Sequence, residues 1–141
     1  MADTQTAPAG IRVFNMLAGL TTLAIFLQAI SAGLFMSLRE AGKPWVTVHA
    51  IVAYIAILLA VVTAIVAIVA LRASAKSLMW GAIVLAVLLV VQVGMGQAIE
   101  QARGLVAVHV PLAFIVFALT IWLSVRGGIV RRRLTGTPTP A

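Results

Sequence analysis

The chain contains no cysteine. That absence excludes disulfides, thiolate ligation of iron, iron–sulfur clusters and covalent porphyrin attachment through a Cys-x-x-Cys-His motif. Acidic residues are almost as scarce: Asp3, Glu40 and Glu100 are the three, against ten Lys and Arg. None of the three lies inside a long apolar run, so no intramembrane carboxylate is present to couple proton movement to export. Only 9% of the chain is charged, whereas 63% is hydrophobic and the mean hydropathy is +1.18. A soluble domain of 141 residues has too little interior to hide that fraction.

Four stretches, 13–38, 45–71, 77–99 and 104–125, carry no charge and reach the length of about 20 residues that a helix needs to cross hydrocarbon. The connections, 39–44, 72–76 and 100–103, are short enough to force each helix to run antiparallel beside its predecessor. The expected fold is an all-α integral membrane protein, a four-transmembrane-helix up-down-up-down bundle spanning 12–126. A polar N-terminal tail (1–11) and a basic C-terminal tail (127–141) flank it. The first apolar stretch is too long for a signal-peptide core and lacks a clear cleavage signal, so it reads as a retained span.

Basic residues set the expected orientation. Arg12, Arg72, Lys76, Arg126, Arg131, Arg132 and Arg133 fall on one side, and Arg39, Lys43 and Arg103 on the other. The positive-inside rule makes both termini cytoplasmic, in a bacterial plasma membrane. The net charge of +7 is then a topology signal and an attraction to anionic lipid; it calls for no nucleic acid.

The two histidines of the chain stand sixty residues apart in matching words, Val46-Thr-Val-His49-Ala-Ile-Val-Ala53-Tyr54-Ile55 and Val106-Ala-Val-His109-Val-Pro-Leu-Ala113-Phe114-Ile115. Each word opens an even-numbered span, so a two-helix internal repeat places an imidazole twice at one depth, about 6 to 8 Å inside the outer ends of parallel helices. Helical steps from His49 meet Ala53, Ala56, Ala60, Thr63, Ala67 and Ala70, and from His109 they meet Ala113, Val116 and Thr120. Small stripes permit close helix packing and mark the histidine faces as inward. Paired imidazoles without a nearby carboxylate or thiolate suit the two axial positions of a haem better than a zinc site.

The odd spans contribute Gln28, Ser31 and Gly33, and Gln92, Gly94, Gly96 and Gln97. Glutamine can steady a ligating imidazole, and glycine lets a flat macrocycle approach the backbone. Gln28, Gly33, Gln92 and Gly96 are therefore candidate cofactor-binding residues beside His49 and His109. Arg39 and Arg103 are candidates for the propionates, because guanidinium forks pair with carboxylates. Met36 and Met95 are weaker axial candidates, since gap-filling or lipid contact explains them as well.

This arrangement resembles one half of the haem A synthase family, whose members join two four-helix bundles with histidines on the second and fourth spans of each. The resemblance covers 14–125 and rests on the histidine spacing and on the Gln-Gly clusters of the preceding helices. It implies the cofactor-holding half, with haem b between His49 and His109. Val46 occupies the place of the acid that precedes the first histidine in the family's catalytic half, and the outer-loop cysteine pair and the second bundle are missing. Haem A synthesis by this chain alone is not expected.

The expected function is a membrane b-type cytochrome for single-electron transfer, or the haem subunit of a redox complex. Its partners would be the bilayer and either a second copy or a larger respiratory assembly. A haem-free accessory subunit is the alternative, with a small multidrug-type transporter disfavoured by the missing carboxylate. Changing Arg39 and Arg103 together to Gln should weaken haem retention and lower the reduction potential, because positive charge near the iron favours the extra electron. The same change at Arg132 and Arg133 should leave both unaltered in a redox titration.

Overall fold

The computed structural model of the chain describes residues 8–135. Four helices dominate it: α1 (Ala9–Ser37), α2 (Lys43–Leu71), α3 (Lys76–Ala98) and α4 (Val106–Leu134). Single 3-10 turns, Arg39–Gly42 and Arg103–Leu105, lead into α2 and α4. There is no strand among the described residues. All four helices are long and apolar enough to cross a membrane.

Each helix packs on its sequence neighbour, and α4 closes the ring against α1. The pairs α1 with α3 and α2 with α4 are diagonal and do not touch backbone to backbone. This is the packing that short connections impose, and it sets the two histidine-bearing helices across the bundle from one another. The fourth helix runs nine residues past the expected end of its span at Val125, reaching Leu134, with Gly127 buried. Arg131, Arg132 and Arg133 lie in its last turn, where cations suit the negative end of the helix dipole. At the other terminus α1 starts at Ala9 and buries Ile11, so both helices extend beyond 12–126 into the expected tails. The remainder of those tails, 1–7 and 136–141, lies outside the described residues.

On α2 the interior is built from smaller side chains than the surface. The buried positions there are Ala56, Ala60, Thr63, Ala64, Ala67 and Leu71, whereas Ile51, Leu58, Ile65 and Val69 are exposed. Water would penalise such an inversion, but lipid does not, because tails are as apolar as the exposed Leu, Ile and Val, and tight packing of small residues holds the helices together. The buried hydroxyls are satisfied within their own helices: Thr21 Oγ1 donates to the Leu17 carbonyl (2.8 Å), Thr63 Oγ1 to Leu59 (2.6 Å) and Thr120 Oγ1 to Phe117 (2.8 Å). Thr22 and Ser124 link α1 to α4 through their hydroxyls at 3.1 Å.

At the end of the bundle opposite the histidines, α1 and α4 meet at Gly127. A Cβ there would overlap Asn15 Oδ1 and come within 3.1 Å of the Phe14 ring, whereas one on Gly128 would meet nothing. Gly127→Leu should therefore destabilise the bundle by about 1 to 3 kcal/mol, the usual cost of overpacking, and Gly128→Leu should be nearly neutral. Unfolding of both variants in a sodium dodecyl sulfate titration measures the difference.

Candidate functional site

The inward faces read from the sequence are the faces the helices present to one another. Helical steps below His49 reach Ala56, Ala60, Thr63 and Ala67, all with 0% exposure, and steps below His109 reach Val116 and Thr120, with 1% and 0%. Both imidazoles are half-buried and are close enough to interact electrostatically across the bundle.

Each histidine is tied to the preceding helix in the same way. The Gln28 side-chain amide donates to the His49 carbonyl (2.6 Å), and the Gln92 amide donates to the His109 carbonyl (2.9 Å). Gln28 and Gln92 are 64 residues apart and the histidines 60, because α1 runs nine residues past Gln28 and α2 has six before His49, against six and three at Gln92 and His109, which outweighs the shorter link between α1 and α2. Aligning the odd helices on these glutamines, rather than on the histidine interval, reveals the structural equivalence.

The His49 ring is oriented further. Its Nδ1 lies 3.2 Å from the Gln28 carbonyl and 3.0 Å from Ser31 Oγ, while Ser31 Oγ itself donates to the Gln28 carbonyl at 3.0 Å. A carbonyl can only accept, so this bond assigns the proton to Nδ1 and leaves the Nε2 lone pair available. Phe35 stands edge-on to the ring at 5.4 Å. His109 has a different neighbour: a Cβ on Gly96 would lie 3.1 Å from its Cε1, so only glycine allows α3 this close to the imidazole. His109 Nδ1 and Gln92 Oε1 are buried without hydrogen-bond partners. A native fold rarely tolerates such orphans unless another group completes the site.

Two helical turns from Gln28, His49, Gln92 and His109, toward the far end, stand Thr21, Ala56, Leu85 and Val116. All four are 0% or 1% exposed. Each lies about 10 Å further along its helix than the residue it is counted from. Nearer the histidines, Ala53 and Ala113, which share the inward faces, remain partly accessible. The histidine end is thus less covered on α2 and α4 than the layer beyond it, and the two imidazoles stand on diagonal helices.

The structure brings together His49, His109, Gln28, Gln92 and Gly96. It does not bring Gly33 to them: Gly33 is exposed, lies two residues from Ser31 and hence on the other side of α1, and has no neighbour within 4 Å of a Cβ. Gly94 is likewise open. Arg39 and Arg103 occupy equivalent places, each opening the 3-10 turn before a histidine helix. Both are exposed at the rim, and Arg39 adopts a left-handed backbone (φ 49°). Lys43 is engaged with Glu40 at 2.5 Å, the one ion pair among the described residues. Met36 is 72% exposed on the outside of α1. Ser31 was among the polar residues read from the first span, whereas the role of Phe35 was hidden because an aromatic in an apolar run marks no site by itself.

No group of three or more His, Cys, Asp or Glu gathers among the described residues, so a closed zinc centre has no ligand set here. Comparison with protein families, with curated proteins and with solved structures found no match. The site is therefore interpreted through its own chemistry. Gly96→Val should press on the His109 ring and destabilise the bundle by about 1 to 3 kcal/mol, while Gly94→Val should be nearly neutral. Unfolding of the purified variants in a sodium dodecyl sulfate titration compares the two.

Proposed function

We propose that the chain is a b-type cytochrome that crosses a bacterial plasma membrane four times. Both termini would be cytoplasmic and the histidine end outward, and haem b would lie between α2 and α4 for single-electron transfer, alone or as the haem subunit of a redox complex. The observation that carries this reading is the pair of diagonal histidines, each clamped through its carbonyl by a glutamine of the preceding helix. Four helices of spanning length and the uneven distribution of Lys and Arg support the membrane placement. The two-helix repeat and the likeness to one half of haem A synthase agree with it.

The residues present fit the cofactor. His49 offers Nε2, with Nδ1–H held by a carbonyl and a hydroxyl, the outer hydrogen bond that ligating histidines usually have. His109 offers the second imidazole, and Gly96 lets α3 pack directly against that ring. Arg39 and Arg103 stand at the rim, where carboxylates directed toward water would meet them. Haem b held by His49 and His109 would supply an iron that cycles between ferric and ferrous states, and two histidine ligands would favour electron transfer over oxygen chemistry. Thr21, Ala56, Leu85 and Val116 are packed inside the bundle beyond the histidines.

The haem-free accessory reading explains His49, whose ring already bridges α2 to α1. It gives no comparable contact for the His109 ring, which bonds to no neighbouring helix. Absorbance of the purified protein decides between the two. A Soret band with sharp reduced α and β bands is expected, and His49→Ala or His109→Ala should each turn it high-spin or deplete it of haem with helicity retained. A colourless, fully helical wild-type protein that takes up no added haemin would overturn the cytochrome.

A further inference from the structure

One polar contact in the histidine half of the bundle plays no part in the imidazole site. Gln97 Nε2 of α3 donates to the Tyr54 hydroxyl of α2 at 2.5 Å, and both side chains are exposed, Tyr54 to 56%. The side chains make no other hydrogen bond among the described residues, so the tyrosine proton and the Gln97 carbonyl oxygen remain available. An exposed polar pair on a lipid-facing surface is costly unless something shares it.

Directly along the same two helices lies an apolar groove of ≈ 330 Å³, lined by Val61, Ala86, Val87, Val90 and Val91. Val61 is seven residues beyond Tyr54, and Val90 and Ala86 are seven and eleven before Gln97, so whole numbers of turns place them on the same faces. The groove thus begins about 10 Å below the polar pair and continues its line. A neutral clasp with a donor and an acceptor surmounts a shallow, open apolar trough.

Charge restricts the occupant. Between Lys43 and Arg72 on α2, and between Lys76 and Glu100 past α3, there is no charged residue. The nearest in sequence to Gln97 is Glu100, which repels phosphate. A phospholipid head finds no cation here, whereas a neutral ring oxygen can accept from Tyr54 or Gln97, and a ring hydroxyl can donate to Gln97 Oε1.

We propose that the α2–α3 face binds an isoprenoid quinone or quinol, its ring at Tyr54 and Gln97 and its tail in the valine groove. The choice of a redox-active ring among neutral amphiphiles rests on the cytochrome reading; the head-and-groove geometry does not. Native mass spectrometry of the full chain in detergent, with decylubiquinone added, tests the site. A single saturable adduct is expected. Tyr54→Phe combined with Gln97→Leu should lower occupancy about tenfold, and Val87→Phe with Val90→Phe, both at exposed positions, should abolish it with helicity unchanged. The His49→Ala, His109→Ala chain should bind as wild type does. Non-saturating adducts, equal displacement by palmitoyl-oleoyl phosphatidylethanolamine, or indifference to both pairs of substitutions would refute the site. Because the doubly substituted histidine chain binds no haem, a missing quinone adduct beside an intact Soret band sinks this proposal alone, and the reverse pattern sinks the cytochrome alone.

Discussion

Two amide-to-carbonyl hydrogen bonds, Gln28 to His49 and Gln92 to His109, hold the histidine end together. In hydrocarbon an unsatisfied amide costs several kcal/mol, roughly the whole net contribution of several ordinary hydrogen bonds. Each glutamine therefore has to find its partner, and the partner is the backbone of the residue whose side chain faces inward. The level of each odd helix against its even neighbour follows from that contact. So does the common depth of the two imidazoles.

Below this level side-chain size takes over from polarity. Ala56, Ala60 and Ala67 on α2 let neighbouring helices approach closely, and the Thr hydroxyls fold back on their own carbonyls. Unpaired polar atoms remain in both halves, at Asn15 beside Gly127 and at His109 and Gln92. The halves differ in cover: the inward faces of α2 and α4 are buried from Ala56 and Val116 onward and only partly covered at the histidines.

The helices were legible because apolar length and sparse charge leave few alternatives, and the inward faces because alanine and threonine recur at helical steps from each histidine. His49, His109, Gln28, Gln92 and Gly96 were legible for the same reason: polar or minimal residues are conspicuous in apolar runs. Gly33 misled, since a glycine one residue away from the inward row looks much like one within it. The extent of α4 was hidden by Arg126 and Gly127-Gly128, which read as an end, although Gly127 in fact permits close contact with Phe14 and Asn15. The Tyr54–Gln97 bond was invisible, since it joins different helices and neither partner lies on a histidine face.

The two halves of the repeat are not equal at the imidazoles, and the inequality has chemical consequences. Ser31 follows Gln28 by three residues, and Met95 follows Gln92 by three, so the position that supplies a hydroxyl to His49 carries a thioether in the other half. His49 consequently has its ring orientation set by two hydrogen bonds and the edge of Phe35, whereas His109 is located by its backbone clamp and by the nearness of Gly96. An imidazole whose N–H is held by a carbonyl is a more basic donor than one whose N–H is free. The two imidazoles are thus held to different degrees, His49 at both ring and backbone, His109 through its backbone and the packing of Gly96 against its ring.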